Sequence, residues 1–192
     1  MNENVTTKVK IGIVRFSYVH IFQPEAAAEG AEKKYSLSLL IPKSNTVLVG
    51  EIKAAIEAAV KAEYPNKRPV NLRLPLRDGD TERDEDEAYK GCWFLNASSK
   101  KKPGIVKLMK IDGETKMVEV TNEEDVYSGC YGYVSVNFYC YDKAGNKGVT
   151  AGLSNVLKIR DGEFLGGRVS AETDFGGLDL DSLTPDDEDE VY

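Results

Sequence analysis

The stretch that decides the fold is Cys130–Tyr141, with the sequence CYGYVSVNFYCY. Small and apolar residues alternate along it with tyrosines and small polar residues, which is the two-residue period of a β-strand. The apolar face consists of Cys130, Gly132, Val134, Val136, Phe138 and Cys140. The opposite face consists of Tyr131, Tyr133, Ser135, Asn137, Tyr139 and Tyr141. We predict a strand with one face in a core and the other face exposed.

The four tyrosines of this strand have two interpretations. Exposed aromatic rings on a sheet can stack unpaired nucleic-acid bases, because every base has a π-face. Tyrosine is also common in strands, pairs well across them, and packs beneath helices or at dimer contacts. A single tyrosine is explained well by packing alone, whereas the face as a whole fits base stacking equally well.

Other segments with strand-like patterns recur along the chain. They are Lys8–Phe16, Tyr35–Ile41, Cys92–Ala97, Gly104–Ile111, Glu114–Val120 and Val149–Arg160. A convincing helical period of apolar residues occurs once, over Asn45–Tyr64. Gln23–Lys34 is expected to be an exposed loop, and residues 65–90 are expected to form mainly a long loop. Many short strands with few helices indicate a small β-barrel.

Charge divides the chain into two parts. All 25 lysines and arginines lie at or before Arg168, whereas Glu172–Tyr192 holds nine acids and no base. Residues 1–171 hold 23 acids and therefore carry a net charge of +2, although the whole chain carries −7. We predict a folded domain over residues 1–171 and a disordered acidic tail over residues 172–192. A tail that confers only solubility is the alternative.

A lysine triplet stands at the end of one predicted strand, in the segment Ser98–Gly104 (SSKKKPG). Lysines beside hydroxyl groups suit contacts with phosphate, and a solvated basic turn is the alternative. No glycine-rich P-loop surrounds the triplet, which argues against nucleotide hydrolysis. Five further bases could extend a basic track around the barrel: Arg73, Arg77, Lys107, Lys158 and Arg160.

Catalytic and metal chemistry is weakly supported. The acidic loop Asp78–Glu87 lacks the EF-hand order, and a two-metal nuclease needs carboxylates on rigid elements. His20 has no catalytic set around it, and the three cysteines include no CxxC pair for zinc. No apolar run is long enough for a membrane span, and the N-terminus has no signal segment. We therefore predict a cytoplasmic, non-enzymatic protein that needs neither cofactor nor metal.

Two long segments, Leu74–Val106 and Ser128–Arg168, resemble a known family. They are similar to phage single-stranded-DNA-binding proteins related to the replication binding proteins of short-tailed phages. Lys8–Pro24 (KVKIGIVRFSYVHIFQP) and Tyr35–Lys43 (YSLSLLIPK) also fit, so the resemblance covers residues 8–175. It implies a mainly β, OB-fold-like barrel of five strands in Greek-key order, closed or partly open, with one prominent α-helix and extra hairpins.

The resemblance also implies sequence-independent binding of single-stranded DNA in phage DNA replication, recombination and repair, inside the host cell. The expected DNA contacts are Arg73, Arg77, Trp93, Lys100, Lys101, Lys102, Lys107, Tyr131, Tyr133, Tyr139, Tyr141, Lys158 and Arg160. The tail is expected to recruit replication or recombination proteins and to compete with DNA. Its contact residues are Asp186, Asp187, Glu188, Asp189, Glu190 and Tyr192, the last a tyrosine where the family more usually has phenylalanine.

Three further expectations accompany this interpretation. Proteins of this kind are commonly dimers, so a homodimer is one expected state. Beside single-stranded-DNA binding, the second functional hypothesis is a non-enzymatic phage structural or assembly protein, which predicts no binding to oligo-dT. The third is a metal-dependent nuclease that uses Asp78–Glu87, and it ranks last because those acids lack a rigid frame.

Overall fold

The computed structural model describes residues 6–166 and Leu178, and these contain eight strands and two helices. The strands are β1 (Lys8–Ala26), β2 (Lys33–Pro42), β3 (Leu76–Asp78), β4 (Cys92–Ser99), β5 (Gly104–Ile111), β6 (Glu114–Glu119), β7 (Tyr131–Lys143) and β8 (Asn146–Arg160). The helices are α1 (Thr46–Glu63) and α2 (Gly79–Glu82), and 3-10 turns lie at Glu87–Tyr89 and Glu123–Asp125. Neither described helix combines the length and apolarity needed to cross a membrane. The predicted acidic tail lies, except for Leu178, outside the described residues.

Five of the strands close into a barrel. Around the ring their order is β1, β2, β4, β8 and β7, and β7 pairs back with β1. All of these pairs are antiparallel except β4–β8, which is parallel at Ala97↔Ala151 and Ser98↔Gly152. This Greek-key order and its closure confirm the predicted OB-fold-like barrel. β3 extends the sheet beyond β4, and the β5–β6 hairpin extends it beyond β8.

The apolar face of β7 lies in the barrel interior, as its alternation predicts. Val134, Val136 and Phe138 are each at most 1% exposed. The buried side of α1 belongs to the same apolar cluster, and the carbonyl oxygen of Ala59 in α1 lies 3.6 Å from the thiol of Cys140. Because successive side chains of a strand point to opposite faces, the tyrosines of β7 point away from α1. Packing beneath the helix is therefore excluded as the reason for these tyrosines.

Two predicted loops are shorter than expected. β1 continues to Ala26 and β2 begins at Lys33, so the loop between them is confined to residues 27–32. β1 extends this far because two register shifts against β2, on either side of His20, let the strand bend past Pro24. Within residues 65–90, β3, α2 and a 3-10 turn interrupt the predicted loop, so its longest stretch outside any helix or strand is residues 65–75. β3 is defined by its pairing with β4. A strand of three residues is too short to show a periodic pattern in the sequence.

β2 is buried on its exterior face as well as on its interior face. Leu40 points to the exterior and is 2% exposed, because Tyr89 and Phe94 cover it. The two aromatic rings meet edge to face, with their centroids 5.2 Å apart. We call Leu40, Tyr89 and Phe94 the exterior cluster. Because Tyr89 belongs to this cluster, the 3-10 turn at Glu87–Tyr89 packs against the outside of the barrel.

Candidate nucleic-acid interface

A groove of about 620 Å³ crosses the exterior of β2 and β4. The cross-strand pairs Ser36↔Ser98 and Ser38↔Asn96 form its floor. Its walls carry Tyr18, His20, Lys34, Arg83 and Lys143. The β1–β2 loop also lines it, and Lys143 belongs to the β7–β8 hairpin. We call this surface the β2–β4 groove. OB-folds bind oligonucleotides along the corresponding strands and loops.

Lysines gather at the end of the groove that the β1–β2 loop forms. Lys100 Nζ lies 2.7 Å from Glu32 Oε1. The hydrogen bond from Lys100, together with the charges of Lys34 and Lys143, holds the pKa of Glu32 below its usual value. Three ammonium groups around one carboxylate leave an excess of positive charge at this end. Such an excess suits the phosphates of a nucleic acid.

The lysine triplet of the sequence therefore lies beside the groove. Lys100 contacts the groove wall at Glu32, and Lys101 is exposed on the same turn. Lys102 Nζ lies 5.8 Å from the ring centroid of Phe22 in β1, a cation–π distance. All three lysines of this turn are exposed, and their contact with DNA stays a prediction.

Tyr18 is an aromatic wall of the groove that sequence reasoning did not identify. It lies in a register shift of β1, and its φ of +46° is in the left-handed region. The residue is 51% exposed, and Arg83 Cζ lies 5.7 Å from its ring centroid. Strained backbone that holds an exposed side chain in a groove is common at binding sites. No local pattern reveals such a bulge, because it arises from the pairing of β1 with β2.

A second groove, of about 600 Å³, continues from Asn96 along the exterior. It brings together three of the predicted contact residues, namely Arg73, Arg77 and Tyr141. Arg77 is oriented by Phe94, whose ring centroid lies 4.8 Å from the guanidinium carbon, and by a 2.7 Å hydrogen bond from Nε to Glu82. Both grooves are lined by Asn96, so they adjoin at that residue on the exterior of β4, and both carry basic and aromatic side chains.

The exterior of β7 carries the predicted tyrosines, and Tyr141 near the end of this strand also lines the second groove. Tyr133 and Tyr139 are 38% and 49% exposed. Tyr131 pairs in register with Arg160 of β8, and the guanidinium carbon of Arg160 lies 3.8 Å from the ring centroid. β8 lies between β7 and β4, and Gly152 of β8, which Tyr139 approaches, pairs with Ser98 in the floor of the β2–β4 groove.

Three other predicted residues do not join either surface. Trp93 is half-buried against the interior cluster, with the ammonium groups of Lys43 and Lys53 5.1 Å and 5.2 Å from its ring centroid. Lys107 is paired with Asp125 at 2.7 Å. Lys158 has a side chain only 12% exposed and pairs with Asp161 at 2.6 Å. The basic track predicted through Lys107 and Lys158 is thus interrupted, because nearby acids neutralise both charges.

The acidic loop Asp78–Glu87 is folded by its own carboxylates. Asp78 accepts a hydrogen bond from the Asp80 N–H and begins α2. Asp80 accepts hydrogen bonds from the Gly91 N–H and from Lys43 Nζ, each at 2.7 Å. Within residues 6–166, no group of three or more His, Cys, Asp or Glu side chains is arranged to hold a metal ion. Asp78 and Asp86 thus serve as caps, and Asp80, Glu82 and Glu87 serve as ion-pair partners of Lys43, Arg77 and Lys90.

Asp80 is expected to stabilise the fold in a pH-dependent way. The N–H of Gly91 and then the ammonium of Lys43 hold the pKa of Asp80 below its usual value. A carboxylate with a depressed pKa stabilises the fold above its unfolded pKa, about 3.9, and this is lost as the pH falls through the folded pKa. Asp80→Asn should therefore lower the Tm at pH 7, and the difference from the unmodified protein should shrink below about pH 4. Thermal melts at both pH values measure this.

Glu85→Gln is the matched control for that variant, because Glu85 is an exposed acid of the same loop that forms no ion pair with any residue of the range 6–166. It should leave the Tm unchanged at both pH values. A deficit for Asp80→Asn that persists undiminished at pH 3 would show that the carboxylate charge is not responsible.

Comparison with known proteins identifies the family of this chain. The family described as the single-stranded-DNA-binding protein of Enterobacter phage Enc34 matches residues 7–191. The chain belongs to this family. Its membership confirms the resemblance seen in Leu74–Val106 and Ser128–Arg168.

Individual relatives and solved structures are similar to this chain over most of its length. A protein described as putative protein p50, from Acyrthosiphon pisum secondary endosymbiont phage 1, is 36% identical over 183 residues, covering 90% of this chain and 95% of that protein. The single-stranded-DNA-binding protein of bacteriophage Enc34, solved in complex with single-stranded DNA, has a TM-score of 0.72 at 27% identity, covering 83% of this chain and 90% of that chain. The likeness to gp2.5, a single-stranded-DNA-binding protein encoded by bacteriophage T7, concerns the fold, with a TM-score of 0.52 at 17% identity and coverage of 85% and 97%.

Proposed function

We propose that this protein binds single-stranded DNA without sequence preference, along the channel that the β2–β4 groove and its extension at Arg73, Arg77 and Tyr141 form. The observation that carries the proposal is that Lys34, Lys143 and an exposed Tyr18 lie together on the oligonucleotide-binding surface of an OB-fold. Lysines follow the phosphates and aromatic rings stack the bases, so base identity has little influence. The DNA complex of the Enc34 relative supports the same class of ligand.

Fluorescence anisotropy with labelled oligo-dT and with a duplex of equal length tests this proposal. We expect tighter binding of oligo-dT, because paired bases are not free to stack on protein side chains. The logarithm of the affinity should fall linearly with the logarithm of the salt concentration, with a slope of about −0.7 for each phosphate contacted. Equal affinities for the two forms, or an affinity that salt does not change, would contradict the proposal.

We further propose that the chain has two parts with different functions, a binding domain at residues 1–171 and a disordered acidic tail at residues 172–192. The domain acts by binding, without catalysis, in phage DNA replication, recombination and repair within the host cytoplasm. The tail recruits replication or recombination proteins through Asp186–Glu190 and Tyr192 and competes with DNA for the groove. The path of the preceding segment supports this competition. Leu165 packs on the exterior cluster, and it lines one cavity together with Tyr18, the groove wall.

Deletion of Glu172–Tyr192 is expected to raise the affinity for oligo-dT at low salt, because it removes nine negative charges that compete with phosphates. The gain should diminish as salt screens the tail. A titration at low and at moderate salt measures both effects. A full-length variant with the nine acids changed to their amides is the control and should match the deletion. An unchanged affinity after deletion would contradict the proposed competition between the tail and DNA.

A further inference from the structure

We infer that the exterior of β7 and β1 is a second contact surface for single-stranded DNA, so that one chain can hold two separate DNA segments. This inference rests on the proposed function and extends it to another side of the barrel. Two parallel rows of side chains carry it: tyrosines along β7, and unpaired cations along β1 and at the end of β8. We call this surface the β7–β1 face.

The aromatic row lies flat against the sheet. A Cβ atom added at Gly12 of β1 would come within 2.5 Å of Tyr133 Cδ1, and one added at Gly152 of β8 would come within 3.1 Å of Tyr139 Cε1. Each ring thus packs beside a residue without a side chain, and Tyr133 and Tyr139 stay 38% and 49% exposed. Six strand residues separate the two rings, a distance of about 20 Å. Exposed, flat-lying rings of this kind are platforms for unpaired bases.

The cationic row runs beside the rings. The β1–β7 register sets Lys8 opposite Asn137, Lys10 opposite Ser135, and Arg15 opposite Tyr131. Paired residues of antiparallel strands project from the same face, so these cations lie along the outward tyrosines. Arg160 joins the row from β8 through its stack on Tyr131. Positive charge beside aromatic rings is the combination with which proteins hold single-stranded nucleic acids.

Among the residues that the structure describes, the four cations of this face have no acidic partner. Within residues 6–166, no carboxylate oxygen lies within 4.0 Å of a side-chain nitrogen of Lys8, Lys10, Arg15 or Arg160. Lys107 and Lys158 differ, since each pairs with an aspartate. Cations that are left unpaired beside exposed rings are available to a polyanion.

The two ends of the β7–β1 face differ in their distance from the β2–β4 groove. Tyr139 approaches Gly152, which pairs with Ser98 of the groove floor, whereas Tyr133 lies about 20 Å further along β7. On the β1 side, the segment after β8 contacts Arg15, since Arg15 Nη2 donates a hydrogen bond of 2.7 Å to the Glu163 carbonyl, and it shares a cavity with Tyr18 of the groove wall. A short oligonucleotide bound in the groove therefore leaves the end of the face at Tyr133, Lys10 and Arg160 accessible.

Charge complementarity selects DNA rather than a second copy of the chain as the occupant. Two copies related by a twofold axis through this face would bring four cations against the same four cations. Such like-charge contact is unfavourable. A DNA strand offers the opposite arrangement, with phosphates for the cations and bases for the rings.

The number of short oligonucleotides bound per chain tests the inference. The full-length protein is titrated at low salt with oligo-dT of about six nucleotides, within the range of about 4–16 that one OB-fold covers. The face variant is Lys10→Ala/Arg160→Ala/Tyr133→Ala, and the groove variant is Lys34→Ala/Lys143→Ala/Tyr18→Ala. We expect two oligonucleotides per chain for the unmodified protein and one for each variant. Substituting Tyr133→Phe for Tyr133→Ala in the face variant should restore part of the lost binding.

Controls make each outcome decisive. Lys61→Ala/Lys67→Ala removes two exposed lysines from α1 and the segment after it and should still bind two oligonucleotides. One oligonucleotide per chain in the unmodified protein, or two in the face variant, overturns the inference while the proposed function stands. A face variant that alters only the sedimentation coefficient identifies a contact between copies and likewise overturns it. Absence of all binding by the unmodified protein overturns the proposed function itself.

Discussion

The groove variant is expected to bind oligo-dT about 100-fold or more weakly than the unmodified protein at low salt. Loss of one stacked base accounts for about 1–3 kcal/mol, which is a factor of about 5 to 150, and Tyr18 is the exposed ring of the groove. Lys34 and Lys143 contribute through phosphates, so their removal should also reduce the slope of the salt dependence by about 1.4. An oligonucleotide long enough to fill the groove, titrated by anisotropy at several salt concentrations, measures both quantities.

Two controls separate the groove from a general effect of charge. Lys61→Ala/Lys67→Ala makes the same change in net charge on exposed positions outside the groove and should keep the affinity within about twofold. Tyr18→Phe retains the ring and should bind much more tightly than Tyr18→Ala. If Lys61 and Lys67 mattered as much as Lys34 and Lys143, the groove would not be the binding channel.

Phe138→Ala is expected to destabilise the protein by about 3–5 kcal/mol, whereas Tyr139→Ala on the neighbouring residue should cost less than about 1 kcal/mol. Phe138 is 1% exposed in the barrel interior, so its removal leaves a cavity among side chains that cannot collapse fully. Tyr139 is 49% exposed on the opposite face. Urea unfolding followed by circular dichroism gives both free energies of unfolding.

This pair also tests the assignment of faces in β7. Tyr139→Ala should weaken DNA binding while it leaves the fold intact, and the surviving folded fraction of Phe138→Ala should bind normally. Similar losses of stability for the two variants would mean that the exterior of β7 is covered rather than exposed. The two side chains are adjacent in sequence, so a difference between them reports their faces and not their position in the chain.

Local periodicity was enough to predict several elements. α1 begins and ends within one residue of the predicted Asn45–Tyr64, because the spacing of its apolar residues and the cap at Asn45 are local signals. β5 was predicted with its observed bounds, Gly104–Ile111. The interior and exterior faces of β7 also follow from alternation alone. β1 was predicted too short because its register shifts disturb that alternation.

The candidate site could be predicted only in part. The tyrosines of β7 and the lysine triplet were identified, since their exposure follows from a strand face and from a polar turn. Tyr18, Lys34, Arg83 and Lys143 were missed, because they come from separate elements and carry no shared motif. Lys107 was selected although Asp125, 18 residues away, neutralises it. Charge pairing at that separation has no signature in the order of residues.

Alternation along single strands, helical spacing and the count of charges were sufficient for the barrel class, the outward tyrosines and the acidic end of the chain. These are properties of residues that are neighbours in sequence, or of composition. Which side chains share a groove, and which cations stay unpaired, was decided by closure of the barrel. That closure depends on pairings between distant residues, such as Ser98 with Gly152 and Lys10 with Ser135. The short-range pattern of the sequence contains no information about those distances.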